Sequence, residues 1–471
     1  MPIRSTWLLA LTLPLAGHAT TWTVGPGQNY TLPSQVSTLV GDGDTVDIEA
    51  GEYPSDVARW QANDLVLRGV GGMAHMESNG MAWGGKAIWV IQGDRTTVEW
   101  IGFSECSVPD QNGAGIRQEG HDLTVRHCWF HDNEDGILAG EIHPSTIRIE
   151  YSEFGHNGFG DGYSHNVYIG HVDSLIFRFN YSHHGFIGHE LKSRAWVNVI
   201  EYNRLSNEAD GEASREIDLP DGGQAYVIGN VIQQGPQGQN SNMVAFGMES
   251  LGNPGPQELY AVNNTLVNEK TNGSFFQAPA ELFFKAYNNI LAGGGSFISG
   301  AWPTDIDTLA NLRATDITAV QFADAATYDY HINDGSPAHN IGFPAGLANS
   351  GYPLVALYEY VHPTGDVLRC QHATLDAGAF ETCTTGIAAE KTSGWAIYPD
   401  PAVDQVTITV PLGVVITHVE FIDAQGRVVK GNMATMADKT ILDVSRLTPG
   451  SYIARISTSA GMWRSALVKL P

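Results

Sequence analysis

A short phrase recurs through the first two thirds of this chain. It reads VEWIGF at 98, VRHCWF at 125, IEYSEF at 149, FRFNYS at 177, IEYNRL at 200, VIGNVI at 227, AVNNTL at 261 and AYNNIL at 286. The fourth residues are Ile101, Cys128, Ser152, Asn180, Asn203, Asn230, Asn264 and Asn289, at intervals of 27, 24, 28, 23, 27, 34 and 25. A β-rich unit with a period in the mid-twenties cannot bury its apolar face alone, but stacked copies can. A parallel β-solenoid is therefore expected. A sandwich would show turns every 8–12 residues or so. Five asparagines at one register predict an internal amide ladder, in which neighbouring coils satisfy each other's side chains.

The remaining sequence brackets this array. Residues 1–19, MPIRSTWLLALTLPLAGHA, read as a secretory signal: Arg4, an apolar run from Trp7 to Ala16, then small residues. Removing it takes Arg4, so the formal charge of -26 becomes -27. A surface that acidic repels nucleic acid. No stretch has the eighteen uninterrupted apolar residues of a membrane span. Leu32–Val40 is expected to form a short amphipathic helix capping the solenoid, followed by a strand over Thr45–Glu49. Cys370 and Cys383 are close enough to bridge a loop, while Cys106 and Cys128 could pair or remain buried thiols. The expected domains are a solenoid over 20–382, a linker over 383–394 and a small β-sandwich of about seven strands over 395–471.

Three resemblances follow from particular phrases. GDTV…GEY (43–53), GSPA within 328–342 and TLDAGAFE (374–381) resemble secreted right-handed parallel β-helix proteins. That resemblance implies an all-β, right-handed parallel β-helix. IYPDPAVDQVTI (397–408), VEFIDAQGRVV (419–429), LDVSRLTPGSYIARIS (442–457) and the terminal LVKLP resemble the type IX secretion sorting domain of Bacteroidetes. Asp400 stands where that domain usually has Asn. This implies passage through the periplasm and across the outer membrane, with the secretion machinery as a partner and a secreted or cell-surface location.

The third resemblance lies in Gly185–Gly223. Histidines 156, 165, 171, 183, 184 and 189 crowd just before or within it. Residues one period apart lie side by side, about 4.8 Å apart. His165 and His189, Glu190 and Arg215, and Lys192 and Glu216 are therefore expected as lateral neighbours. The layout Glu190-x-Lys192-Ser193, Asn198, Asn203, Gly211, Arg215 is similar to the alginate lyase and chondroitinase B group of polysaccharide lyases. It implies Lys192 as base, Arg215 as its partner and Glu190 near a calcium ion. The residues EIDLPDGG after Arg215 depart from that group's usual continuation.

β-Elimination from a uronate needs a base for the proton α to the carboxylate, a cation to stabilise the enolate and a donor for the leaving oxygen. Lys192, Arg215 and either Tyr168 or His189 could fill these roles, with His165, His184 and Arg194 binding substrate. Glu190, Glu216, Asp218 and Asn166 are hard donors that could hold calcium. A zinc set of His183, His184 and His189 has poor spacing. Asp161, Asp173, Asp218 and Asp221 could instead supply the carboxylate pair of a glycoside hydrolase. A non-catalytic glycan binder could use Trp129, Tyr151, Phe159, Tyr163 and neighbouring aromatics, although most such rings are expected to stack within the fold. A monomer acting on a polysaccharide is expected.

Overall fold

The computed structural model describes residues 19–370 and 374–382 of the solenoid portion. Toward the C-terminus it describes 396–399, 401–410, 414–423, 427–430, 432–435, 439–458 and 461–470. Residues 1–18 of the expected signal (1–19), Cys383 and the expected linker lie outside the described residues.

The chain winds as a parallel β-helix. A ten-stranded parallel sheet runs along one side, and a 21-stranded parallel array forms the rest of the coil. Most strands are three to five residues long, and each pairs with its equivalent on the coils above and below, as Ser174–Arg178 does with Val197–Glu201. Residues pointing inward form the core. Phe103, Phe130 and Phe154 stack at centroid distances of 4.9 and 4.8 Å, fully buried. Each such ring contributes roughly 1.5–3 kcal/mol of transfer free energy.

The asparagine ladder forms at the expected register. The backbone N–H of Ser152 donates to Asn180, that of Asn180 to Asn203, and so on through Asn230, Asn264 and Asn289 to Asn311, at 2.9–3.0 Å. Each Nδ2 also donates to the next Oδ1 and to a backbone carbonyl, as Asn230 does to Asn264 and Ile200. The residue before each rung turns the chain with a left-handed φ: 58° at Trp100, 52° at His127, 51° at Tyr151, 59° at Phe179 and 56° at Tyr202. Non-glycine residues resist this conformation. Here their rings stack in a column at 4.7–5.4 Å, which offsets the strain. Tyr151, Phe179 and Tyr202 are thus scaffold, whereas Trp129, Phe159 and Tyr163 are exposed.

The N-terminal cap differs from expectation. Over 32–40 the only helical element is a 3-10 turn at Pro33–Gln35, followed by further turns. Nine residues are too few to hold a helix by themselves. The Ser37 hydroxyl donates to the Ser34 carbonyl, and β-branched Val36 and Val40 serve better as plugs for the open core.

Beyond Ala314 the chain returns along the solenoid. Tyr352 and Leu354 pack on the aromatic column, and the Tyr352 hydroxyl donates to Glu201 at 2.7 Å. The DAGAFE segment docks sideways on the coils: the Gly378 N–H donates to the Asn288 carbonyl, and the Ala379 N–H to Thr265 Oγ1. Cys370 is disulfide-bonded. Cys106 and Cys128 are free and buried, and burial pushes both thiols up to about 12. The C-terminal portion folds as two four-stranded antiparallel sheets, with Val406, Ile408, Phe421, Leu442, Ala454 and Leu467 in its core. No helix of the described residues is long and apolar enough to cross a membrane.

Candidate active site on the ten-stranded sheet

Three successive strands of the ten-stranded sheet, Val167–Ile169, His189–Ser193 and Arg215–Leu219, place the central residues. Leu191, Ile217 and Leu219 point into the core, so the alternate positions Tyr168, Lys192 and Asp218 face outward. These three are direct partners across the coils. At the strand entrances His165 stacks on His189 at 4.8 Å and 7°, and His189 pairs with Arg215.

Asp218 is the hub. Its carboxylate lies 3.0 Å from Arg215 Nη1, 3.4 Å from His189 Nε2 and 3.6 Å from Lys192 Nζ. Lys192 Nζ also donates to Glu249 at 2.9 Å and sits 5.8 Å from the centre of the Tyr168 ring. Arg194 spans the next row. It donates to the Tyr168 hydroxyl at 3.0 Å, to Asp221 at 2.6 Å and to Glu249 at 2.6 Å. His171 reaches Asp221 at 3.0 Å. Beside this network opens a groove of about 580 Å³, lined among others by Arg117, Asp161, Tyr163, Tyr168, His171 and Arg194.

Burial sets the protonation of these groups. It raises the Asp218 carboxyl, against the pull of Arg215 and Lys192. Asp221 and Glu249 are also raised by burial, but hydrogen bonds outweigh it and leave both lowered, from Ser250 and Arg194 at Asp221 and from Arg194 and Lys192 at Glu249. His189 is held well below the usual imidazole range by burial, then by His165, Lys192 and Arg215. It is neutral at pH 7, and its Nδ1 is buried without a partner. His165 falls to about 3 through burial and the charges of Lys192 and Arg194.

The structure brings together Lys192, Arg215, His189, Tyr168, Arg194 and Asp218, with His165 stacked on His189, and sets Glu190, Glu216, Asn166 and His184 apart from their network. The register is one correction: His189 to Arg215 and Lys192 to Asp218 are both 26 residues, so neither Glu190 with Arg215 nor Lys192 with Glu216 is a lateral pair. The calcium set is a second. Glu190 and Glu216 share the alternation of Lys192 and Asp218 on their strands, yet both are fully buried near the strand starts. Both Glu190 oxygens are already engaged, one by Asn166 Nδ2 at 2.5 Å and Ser182 Oγ at 2.9 Å, the other by the Gly185 N–H at 3.0 Å. Asn166 Oδ1 accepts from Asn157. Burial pushes Glu190 up to about 7, and Glu216 well above the usual range. These residues close a second internal polar ladder and do not form a calcium cage. His165 is buried, accepting the His189 N–H at Nδ1, so it supports the site from beneath. His184 lies at another turn, against His183 and His156.

Glu249 was not singled out by sequence reasoning. It lies in the segment that stretches the interval between Asn230 and Asn264 to 34 residues, so the long interval was its signal.

Residues 396–469 match the secretion system C-terminal sorting domain family. No curated protein matches the sequence. Among solved structures, pectate lyase Pel9A superposes with a TM-score of 0.50 at 13% identity, covering 78% of this chain and 97% of that one. Pectin methylesterase PemA from Erwinia chrysanthemi aligns at a TM-score of 0.31 and 9% identity, over 69% of this chain and 100% of that one, too distant to support an argument. The chain is thus a parallel β-helix protein ending in a type IX secretion sorting domain, which marks it for export to the cell surface or the medium.

Proposed function

We propose that the protein is a polysaccharide lyase cleaving a uronate-containing polysaccharide by β-elimination on the outer face of the ten-stranded sheet. The observation that carries this reading is the convergence of Lys192, Arg215 and His189 on one buried carboxylate, Asp218, with Arg194 and Tyr168 beside them. Three cations, Lys192, Arg194 and Arg215, gather beside the groove, matched by Asp218, Asp221 and Glu249. The half-exposed Glu249 carboxylate holds a place that a substrate carboxylate can take. That suits an anionic ligand.

Lys192 is the base in this mechanism. Unlike an arginine, a lysine can give up its proton. Its partner Glu249 has a half-exposed side chain and can be displaced by the entering uronate. The Lys192 amine takes the proton at the carbon bearing the carboxylate. The electron pair forms a carbon–carbon double bond, and the glycosidic C–O bond breaks. Arg215 and Arg194 neutralise the carboxylate as charge builds on it. The Tyr168 hydroxyl already accepts from Arg194, so its own proton is free for the departing oxygen. Neutral His189 is the weaker candidate for that donation. Exposed Tyr163, on the groove wall, is a platform for a sugar ring. The expected calcium ligands do not fit the ion, so no step runs through it.

One observation favours a second reading. Asp218 is raised and Asp221 lowered, the separation found in carboxylate acid–base pairs of glycosidases. The test is a screen of purified mature protein against alginate, glucuronan, pectate and chondroitin, with and without chelator. Ultraviolet absorbance from unsaturated ends supports the lyase. New reducing ends without absorbance support the hydrolase, and affinity without turnover supports a binder.

A further inference from the structure

On a different turn, two coils meet at a group of histidines that the proposed reaction does not use. His156 follows the strand Glu153–Gly155, and His184 follows the strand Tyr181–His183. Gly155 and His183 are register partners, so His156 and His184 occupy equivalent positions on adjacent coils. Both carry left-handed φ, 57° and 50°, and their rings stack at 4.8 Å. The His183 ring leans over the coil before it. A Cβ on Gly155 would lie 2.5 Å from His183 Cε1, so the bare glycine is what admits the ring.

The nitrogens matter most. One ring nitrogen from each of His156, His183 and His184 falls within 4.8 Å of the others. His183 Nε2 faces Glu153 at 3.3 Å, and His184 Nε2 faces Asp210 at 3.2 Å. A carboxylate on Nε2 holds the ring proton there and directs the lone pair to Nδ1. The two Nδ1 atoms then confront each other at 2.7 Å. Two lone pairs at that distance repel unless a cation lies between them. A tetrahedral zinc ion, at about 2.0–2.1 Å from each nitrogen, would need them roughly 3.3 Å apart. Small side-chain rotations supply the difference.

We propose that His156, His183 and His184 form a site for a divalent transition ion of the zinc class, backed by Glu153 and Asp210. Three imidazoles with carboxylates in the outer layer select zinc, copper or nickel over calcium or magnesium. A groove of about 250 Å³, lined by His156, Phe186, Asp210 and Glu212 among others, opens beside the histidines and leaves the fourth position accessible.

The test uses chelator-treated, desalted full-length mature protein, titrated with Zn(II) by calorimetry and with Co(II) by visible absorption. One equivalent is expected, with a tetrahedral Co(II) spectrum that added Ca(II) leaves unchanged. His156→Ala, at an exposed position where loss of folding is not at issue, and His184→Ala should each weaken binding by on the order of 100-fold. Asp210→Asn should weaken it by about tenfold. His121→Ala, paired with Asp94 elsewhere, should change nothing. Absence of a stoichiometric site, or undiminished binding in both His156→Ala and His184→Ala, overturns the proposal.

Discussion

Two polar columns run through this solenoid, and they differ in how completely they are satisfied. From Asn180 to Asn289 the same residue recurs at each rung, and the amide oxygen and both amide hydrogens find partners. On the ten-stranded sheet the column does not keep one residue type: His165 and His189 give way to Arg215. That column leaves His189 Nδ1 and Arg215 Nε buried without partners. Repetition lets one coil complete the next and makes scaffold. Heterogeneity leaves bonding capacity over, and that capacity is what a substrate can use.

The comparison can be broken from either side. The largest expected effect is Arg215→Ala. It should lower kcat on the best polyuronate by about 10³-fold, since a preorganised charge at the developing enolate is lost. Arg215→Lys should recover part of the rate, whereas a purely structural role would show no rescue. Next is Asn230→Ala. It strips one rung and leaves backbone and side-chain partners on Asn203, Asn264 and Ile200 unsatisfied. A loss of about 3 kcal/mol is expected in denaturant unfolding, with the rate per folded molecule unchanged. Tyr168→Phe should cost about 10²-fold in kcat with little change in melting temperature.

The smallest effect concerns Glu190, whose folded carboxyl is raised to about 7. Between its unfolded value near 4.3 and 7, the unfolded chain ionises while the folded one keeps its proton. Stability therefore falls as pH rises through that window and levels off above it. Glu190→Gln should flatten this part of the melting-temperature profile. An unchanged slope would place the titration elsewhere.

The ladder was legible because it is periodic: one residue type at one register betrays a stack. The site was legible only in part. Lys192, Arg215, His189, Tyr168 and Arg194 do share a face, and His165 stacks on His189 as its 24-residue spacing implied. The next coil is two residues longer, and that slipped the assumed partners of Lys192 and Glu190. Internal hydrogen bonding then decided the calcium set. Glu190 shares the alternation of Lys192, and Glu216 that of Asp218, yet both are fully buried, Glu190 held by Asn166, Ser182 and the Gly185 N–H. Neither spacing across coils nor alternation within a strand reports where a strand start turns a side chain inward. Glu249 reaches Lys192, and His156 reaches His184, through turns whose geometry no short-range pattern carries. The sorting domain was legible because its phrases span the whole segment.

The most direct test is the Lys192→Ala variant, assayed by ultraviolet absorbance on whichever polyuronate the wild type cleaves, with circular dichroism and melting matched to wild type. A lysine base on the outer sheet face predicts loss of unsaturated ends by about 10³-fold or more in a folded protein. Full absorbance-detected activity in that folded variant would contradict the account.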